Sequence, residues 1–219
     1  MTARPWIAYV LPFAALLTLL AVGDMLLPGR WEYPVRTLIL ALTLLLCSRR
    51  AISLRTVEPL ASIGVGLGVF GLWIAPDVLW PGWRDHWIFQ NQLTGPLVAG
   101  IPEPLREDPI VIVSRTIRAA LLVPVIEELF WRGFLVRWLI HRDFLKVPLG
   151  SVTANSFFVT TVMFAAEHGP HWDVGLLAGV IYNVWMVRTR SLGDCILAHA
   201  VTNAALSAYV LCYGKWEYW

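Results

Sequence analysis

Two adjacent carboxylates, Glu127 and Glu128, stand in an apolar run, with residues 119–125 before them, residues 135–140 after them, and Arg132 four positions beyond Glu128. Ionisable groups at membrane depth are costly and by default mark a functional site. Glu128 and Arg132 share one helix face and can pair. Glu127 lies about 100° further round the axis. The two carboxylates therefore have different neighbours, and one can be tied up while the other stays free. Downstream, His168 follows Phe164 by four residues, and His199 precedes Asn203 by four. Carboxylates and imidazoles are acids, bases and metal donors; the amide adds a hydrogen-bond donor and acceptor. Bland accounts exist for each pair. Glu128–Arg132 reads as a structural ion pair. His168 could cap a helix end before Gly169-Pro170, and His199–Asn203 could hydrogen-bond neighbouring helices. Three such pairs in a chain with few intramembrane polar residues argue against coincidence.

The elements that must position these groups are apolar helices. The 219 residues are 58% hydrophobic and 15% charged, with a mean hydropathy of +0.64. Those values exclude an ordinary soluble domain and predict an all-α, polytopic transmembrane helix bundle. With about 20 residues per crossing, the chain has room for roughly seven spans. The apolar runs place them at residues 6–27, 35–47, 60–80, 109–140, 151–168, 174–187 and 192–213. Arg4 and Ala21-Val22-Gly23 imitate a cleavable leader, but the first run is long enough to cross and another follows closely, so a retained helix is expected. The fourth span should kink or break near Pro124, which removes a backbone donor. Gly64, Gly66, Gly68 and Gly71 permit close helix packing in the third. Residues 81–108 form the one long polar connection, and its tryptophans suit the membrane interface. Trp216 and Trp219 look like a second interfacial anchor. The reading divides the chain into N-terminal transmembrane helices with an interfacial loop, residues 1–108, and a helical core carrying the polar motifs, residues 109–219.

Counting Lys and Arg beside short loops puts the N-terminus in the cytoplasm, with Arg49, Arg50, Arg55, Arg137, Arg142, Lys146, Arg188 and Arg190 on that side. The net charge of +2 and the lack of a basic block exclude nucleic acid as a partner. Cys47, Cys195 and Cys212 are dispersed and odd in number, reading as small apolar fillers. The spans holding Glu127 and His168 form a hairpin about residues 142–150. Both groups lie roughly 22–27 Å from that turn, so they can face each other at one depth. His199 follows its own preceding turn by only about 12 Å of helix rise. Tilt, or a loop that dips into the bilayer, must close that gap. Glu167, His168 and His171 fall short of a zinc-protease helix, because Gly169-Pro170 break the helix and the order is wrong.

Glu127-Glu128-x-x-x-Arg132, Phe164-x-x-x-His168 and His199-x-x-x-Asn203, in this order on apolar helices, resemble the CPBP family. Its members are type II CAAX prenyl endopeptidases and many bacterial relatives, including bacteriocin self-immunity proteins. The resemblance covers about residues 109–213. The small size is also similar to that of CAAX-protease-related proteins that accompany exosortase sorting systems, and points to a bacterial inner (plasma) membrane. The resemblance implies hydrolysis of a peptide bond within the membrane, on a membrane protein or lipidated peptide. It implies that Glu127 activates a water with help from His168, that His199 and Asn203 face the carbonyl oxygen, and that Glu128, held by Arg132, positions the site. No metal is then needed. Glu127, Glu128, His168 and His199 are nonetheless acceptable zinc ligands, so a zinc-dependent form of the same protease is the alternative. Two further readings stay open: a non-catalytic immunity or assembly protein, and a proton relay or transporter using the same carboxylates. The absence of paired broken helices in two matching halves argues against transport. The charge count places Glu127 in the outer half of the membrane, whereas prenyl endopeptidases resemble a cytosol-facing design.

Overall fold

A computed structural model describes residues 4–219, apart from the side chains of Asp24 and Leu26. Among the described residues there are seven helices and no strand: α1 Ile7–Leu26, α2 Glu32–Thr43 with a widened last turn to Ser48, α3 Pro59–Leu79, α4 Pro109–Trp138, α5 Ala154–Ala166, α6 Trp172–Thr189 and α7 Leu192–Tyr213. Helices α3, α4 and α7 are long and apolar enough to cross a membrane. Among the described residues, 7–23 and 154–166 form shorter apolar helices; α5, at 13 residues, rises only about 20 Å.

Helix α4 runs on through Pro124, so of the expected kink or break the break does not occur. Val123 N–H donates to the Arg118 carbonyl, five residues back, so the turn widens just before the proline. Proline in a regular turn clashes with the carbonyl four residues earlier, and the extra residue relieves that clash without ending the helix. A second wide turn covers Leu129–Leu135, where Val136 N–H reaches Trp131 C=O. Glu127 and Glu128 sit between the two. Such wide turns recur at functional sites because they re-aim neighbouring side chains.

The hairpin of α4 and α5 is fixed by Arg137. Its guanidinium donates to the carbonyls of Val147 (2.7 Å) and Gly133 (2.9 Å), so the connection is pinned to the last turns of α4. Thr153 and Ser156 then cap α5 reciprocally.

Helices α3 and α7 pack most intimately. Gly66 is where that requires a glycine: an added Cβ would run into the Ala198 carbonyl and the Val201 side chain. The bare backbone lets Thr202 Oγ1 donate to Gly66 O at 2.8 Å. The turn between α6 and α7 lies inside the protein. Ser191 and Asp194 are buried, and Asp194 accepts from the backbone N–H groups of Val57 and Glu58 and from Ser62 Oγ. The start of α7 thus stands level with the start of α3, and eight residues on His199 comes within 3.9 Å of Glu127.

The C-terminal tail differs from the expected anchor. Gly214 takes a left-handed conformation, φ 66°, which ends α7 and turns the chain back. Trp219 is then buried with Tyr33, Ile101, Val111 and Val210, and its indole N–H reaches Ser207 Oγ. It packs inside rather than at a lipid interface. The 81–108 connection closes the same end. Arg84, 3% exposed, binds Asp77, the Pro170 carbonyl and Asp173.

Candidate active site

Glu128 and Arg132 form the rigid base of the site. Both are fully buried, and Arg132 Nη1 lies 3.0 Å from Glu128 Oε1. The same guanidinium donates to Asn183 Oδ1 and Gly179 O on α6, and its face covers the rings of Phe164 and Tyr182. Asn183 in turn donates to Thr161 Oγ1 on α5. One arginine therefore ties α4, α5 and α6 together around a desolvated carboxylate. Buried charges persist only when paired and hydrogen-bonded in this way.

His199 bridges the two glutamates. Its Nδ1 is 3.0 Å from Glu128 Oε1, and its Nε2 is 3.9 Å from Glu127 Oε2. A carboxylate oxygen only accepts, so Nδ1 carries a hydrogen. The Tyr182 ring stacks on the imidazole at 5.1 Å, and Tyr182 is held by its hydroxyl to Thr202.

His168 is fixed by a different bond. It lies two residues beyond the end of α5, with φ −92° and ψ 6°, and its Nδ1 lies 2.6 Å from the Phe164 carbonyl. That carbonyl also only accepts, so Nδ1–H is the donor and Nε2 presents a lone pair. Phe164, 1% exposed, stands between the two imidazoles and holds both by ring contact.

Glu127 is buried, yet its Oε2 has no hydrogen-bond partner. It faces a cavity of about 170 Å³ shared with His168, His199, Asn203, Trp73 and Arg115. Asn203 donates one amide hydrogen to the Ala119 carbonyl at 2.9 Å, which leaves its second N–H and its oxygen for the cavity. A buried carboxylate oxygen without a hydrogen-bond partner beside an imidazole lone pair is an arrangement for holding, and taking a proton from, a third molecule.

Glu167, set aside in the sequence with the zinc-protease helix, joins this group. Glu167 Oε1 accepts from the Trp131 indole N–H at 3.0 Å. Donor atoms of Glu127, Glu167 and His168 lie within 4.8 Å of one another, close enough to share a metal ion. The expected metal set differs: Glu128 is committed to Arg132 and His199, and Glu167 stands where Glu128 and His199 were expected to contribute. Regular helical spacing would turn Glu167 away from His168. The helix ends at Ala166, which lets consecutive residues serve one site. His171 is not part of this group of donor atoms and packs on Trp73 and Tyr218.

A family model described as Type II CAAX prenyl endopeptidase Rce1-like matches residues 109–205. That interval contains every one of these polar groups. No curated protein and no solved structure matches the chain. The matched family consists of membrane proteases, and three helices here are long and apolar enough to span. The match over residues 109–205 supports assignment of this helical core to the CAAX protease family, and with the three apolar helices it supports an integral membrane protein.

Proposed function

We propose that the protein hydrolyses a peptide bond of a membrane-embedded or lipid-anchored substrate, using a water held between Glu127 and His168. The observation that carries this reading is the pair of facing acceptors: an unpartnered Glu127 carboxylate and a His168 Nε2 lone pair, both on the same cavity. A water placed there donates one O–H to each and presents its own lone pair to a carbonyl carbon. As the bond to carbon forms, Glu127 takes the proton and later delivers it to the leaving amine.

Asn203 and His199 face the same cavity and supply donors where the carbonyl oxygen gains charge. With Nδ1–H given to Glu128, a donor at His199 Nε2 requires the imidazolium. Glu128 is the fixed counter-charge. Hydrogen bonds to developing charge count most where water is excluded, and aromatic side chains line this cavity.

A second reading has one observation behind it. Glu127, Glu167 and His168 form a three-donor N/O set with an open side, the pattern of a catalytic zinc site. A metal held there would supply a Lewis acid and a water acidic enough to be deprotonated near neutrality. In the metal-free reading, exhaustive chelation leaves the cleavage rate within about twofold; loss that added zinc restores selects the metal reading.

The substrate is found by comparing membrane-protein termini in cells carrying the intact protein and the Glu127→Gln variant. The reading predicts at least one new terminus that is present with the intact protein and missing with the variant. Identical sets of termini would leave the non-catalytic immunity or assembly role as the better account.

A further inference from the structure

His168 stands on the corner between α5 and α6, and much of what holds that corner comes from elsewhere in the chain. The connection 81–108, outside the matched interval 109–205, is fastened to it. Arg84 Nη1 donates to the Pro170 carbonyl at 2.6 Å and to Asp173 Oδ1 at 2.9 Å. Trp83 donates its indole N–H to Asp173 Oδ2, and Trp172 returns one to the Ile88 carbonyl. Arg84 Nε reaches back to Asp77 near the end of α3. Stability is a poor explanation for this buried guanidinium. Its Nη2 has no hydrogen-bond partner, and a buried ion pair is often no more stable than well-packed apolar side chains. What Arg84 does fix is the place of the first turn of α6. That turn carries Gly175, and the His168 ring lies against its bare backbone. A Cβ on Gly175 would stand 3.1 Å from His168 Nδ1 and 3.2 Å from its Cγ, tighter than ordinary contact.

We propose that Arg84 and Gly175 are positioning residues for His168: Arg84 clamps the start of α6, and the bare backbone at Gly175 sets where the imidazole lies. The proposal rests on the hydrolytic reading and deepens it, carrying the site into a segment outside the matched interval. Neither residue lines the cavity, so each acts through His168. The Nδ1–H bond to the Phe164 carbonyl holds one edge of the ring, but a hydrogen bond alone tolerates a tilt of roughly 30°. The contact with Gly175 removes that freedom and aims Nε2 at the cavity. Aim matters there, because proton transfer needs the partners within hydrogen-bond reach and a misplacement of about 1 Å can cost about a hundredfold in rate. Arg84→Gln releases the first turn of α6. Gly175→Ala leaves that turn clamped and pushes the imidazole instead. Arg84→Lys keeps a charged donor but loses the planar fork that joins Asp77 to Asp173.

The test uses the full-length protein in lipid nanodiscs and has two readouts. The first is independent of cleavage: imidazole nitrogen NMR of histidine-labelled protein, with the His168 signals identified by their loss in His168→Ala. Arg84→Gln and Gly175→Ala are each expected to shift or split the His168 Nε2 signal while the His199 signals and the helical circular dichroism stay as they are. Arg84→Lys returns the Nε2 signal part of the way. His168 signals that stay in place in both Arg84→Gln and Gly175→Ala overturn the proposal. Should Arg84→Gln fail to fold, Gly175→Ala and Arg84→Lys give the same readings. The second readout is single-turnover cleavage. Each variant is expected to lose at least about tenfold in rate at saturating substrate, with the half-saturating concentration within about twofold. Added to His168→Ala, each is expected to cost less than about twofold more. A full tenfold loss in the His168→Ala background means that the residues support the fold rather than His168, and overturns the proposal. If the intact protein cleaves nothing while the His168 signals move as described, the hydrolytic reading fails and the clamp on His168 stands.

Discussion

At the residue scale, adjacent glutamates have opposite fates because the helix points them at different neighbours. Glu128 meets Arg132 and His199 and is saturated at Oε1; Glu127 meets the cavity and His168, with His199 Nε2 no nearer than 3.9 Å. The pairing of Glu128 with Arg132 follows from their i,i+4 spacing, and that much was legible in the sequence. Loss of one partner strands the other charge in a buried site. Arg132→Gln is therefore expected to destabilise the protein by about 3–5 kcal/mol, read as a fall in the unfolding midpoint in detergent. A shift below about 1 kcal/mol would mean the pair is not desolvated as described. The part Glu167 plays in the site was not legible, because it depends on α5 stopping one residue before it.

At the scale of elements, depth is the controlling variable. The α4–α5 hairpin sets Glu127 against His168, and Arg137 sets the hairpin. Arg137→Ala leaves the carbonyls of Val147 and Gly133 without their donor. The expected cost is about 2–4 kcal/mol for two buried acceptors, together with a lower cleavage rate from a displaced His168. A variant that cleaves at full rate would show that the hairpin turn does not govern the site. Hydrophobic periodicity and length located all seven helices, and the limits of α7 coincide with the apolar run at 192–213. The same signals could not show that Pro124 widens α4 rather than breaking it. That outcome depends on whether a helix can shift its hydrogen bonds by one residue, a choice made by packing.

At the scale of the whole molecule, parts outside the matched interval complete the site. Trp73 of α3 supplies a cavity wall and packs edge-on against His168. The tail returns to place Tyr218 in the same wall and Trp219 in the second core cluster. The tail's composition suggested an interfacial anchor, and composition cannot distinguish a tryptophan facing headgroups from one folded into a core. Trp219→Ala is expected to cost about 3–5 kcal/mol, measured as a lower unfolding midpoint in detergent; an unchanged midpoint would contradict the buried tail. Helices α3 and α7, on either side of residue 108, share the most extensive packing among the described residues.

The central claim is that Glu127 and His168 jointly activate one water. Single-turnover cleavage of a substrate peptide in lipid nanodiscs, by the intact protein and by Glu127→Gln and His168→Ala separately, tests it most directly. The account predicts a loss of at least about a hundredfold for each variant, with helical content retained, and a double variant little worse than the poorer single one. Either variant cleaving within tenfold of the intact protein would contradict it.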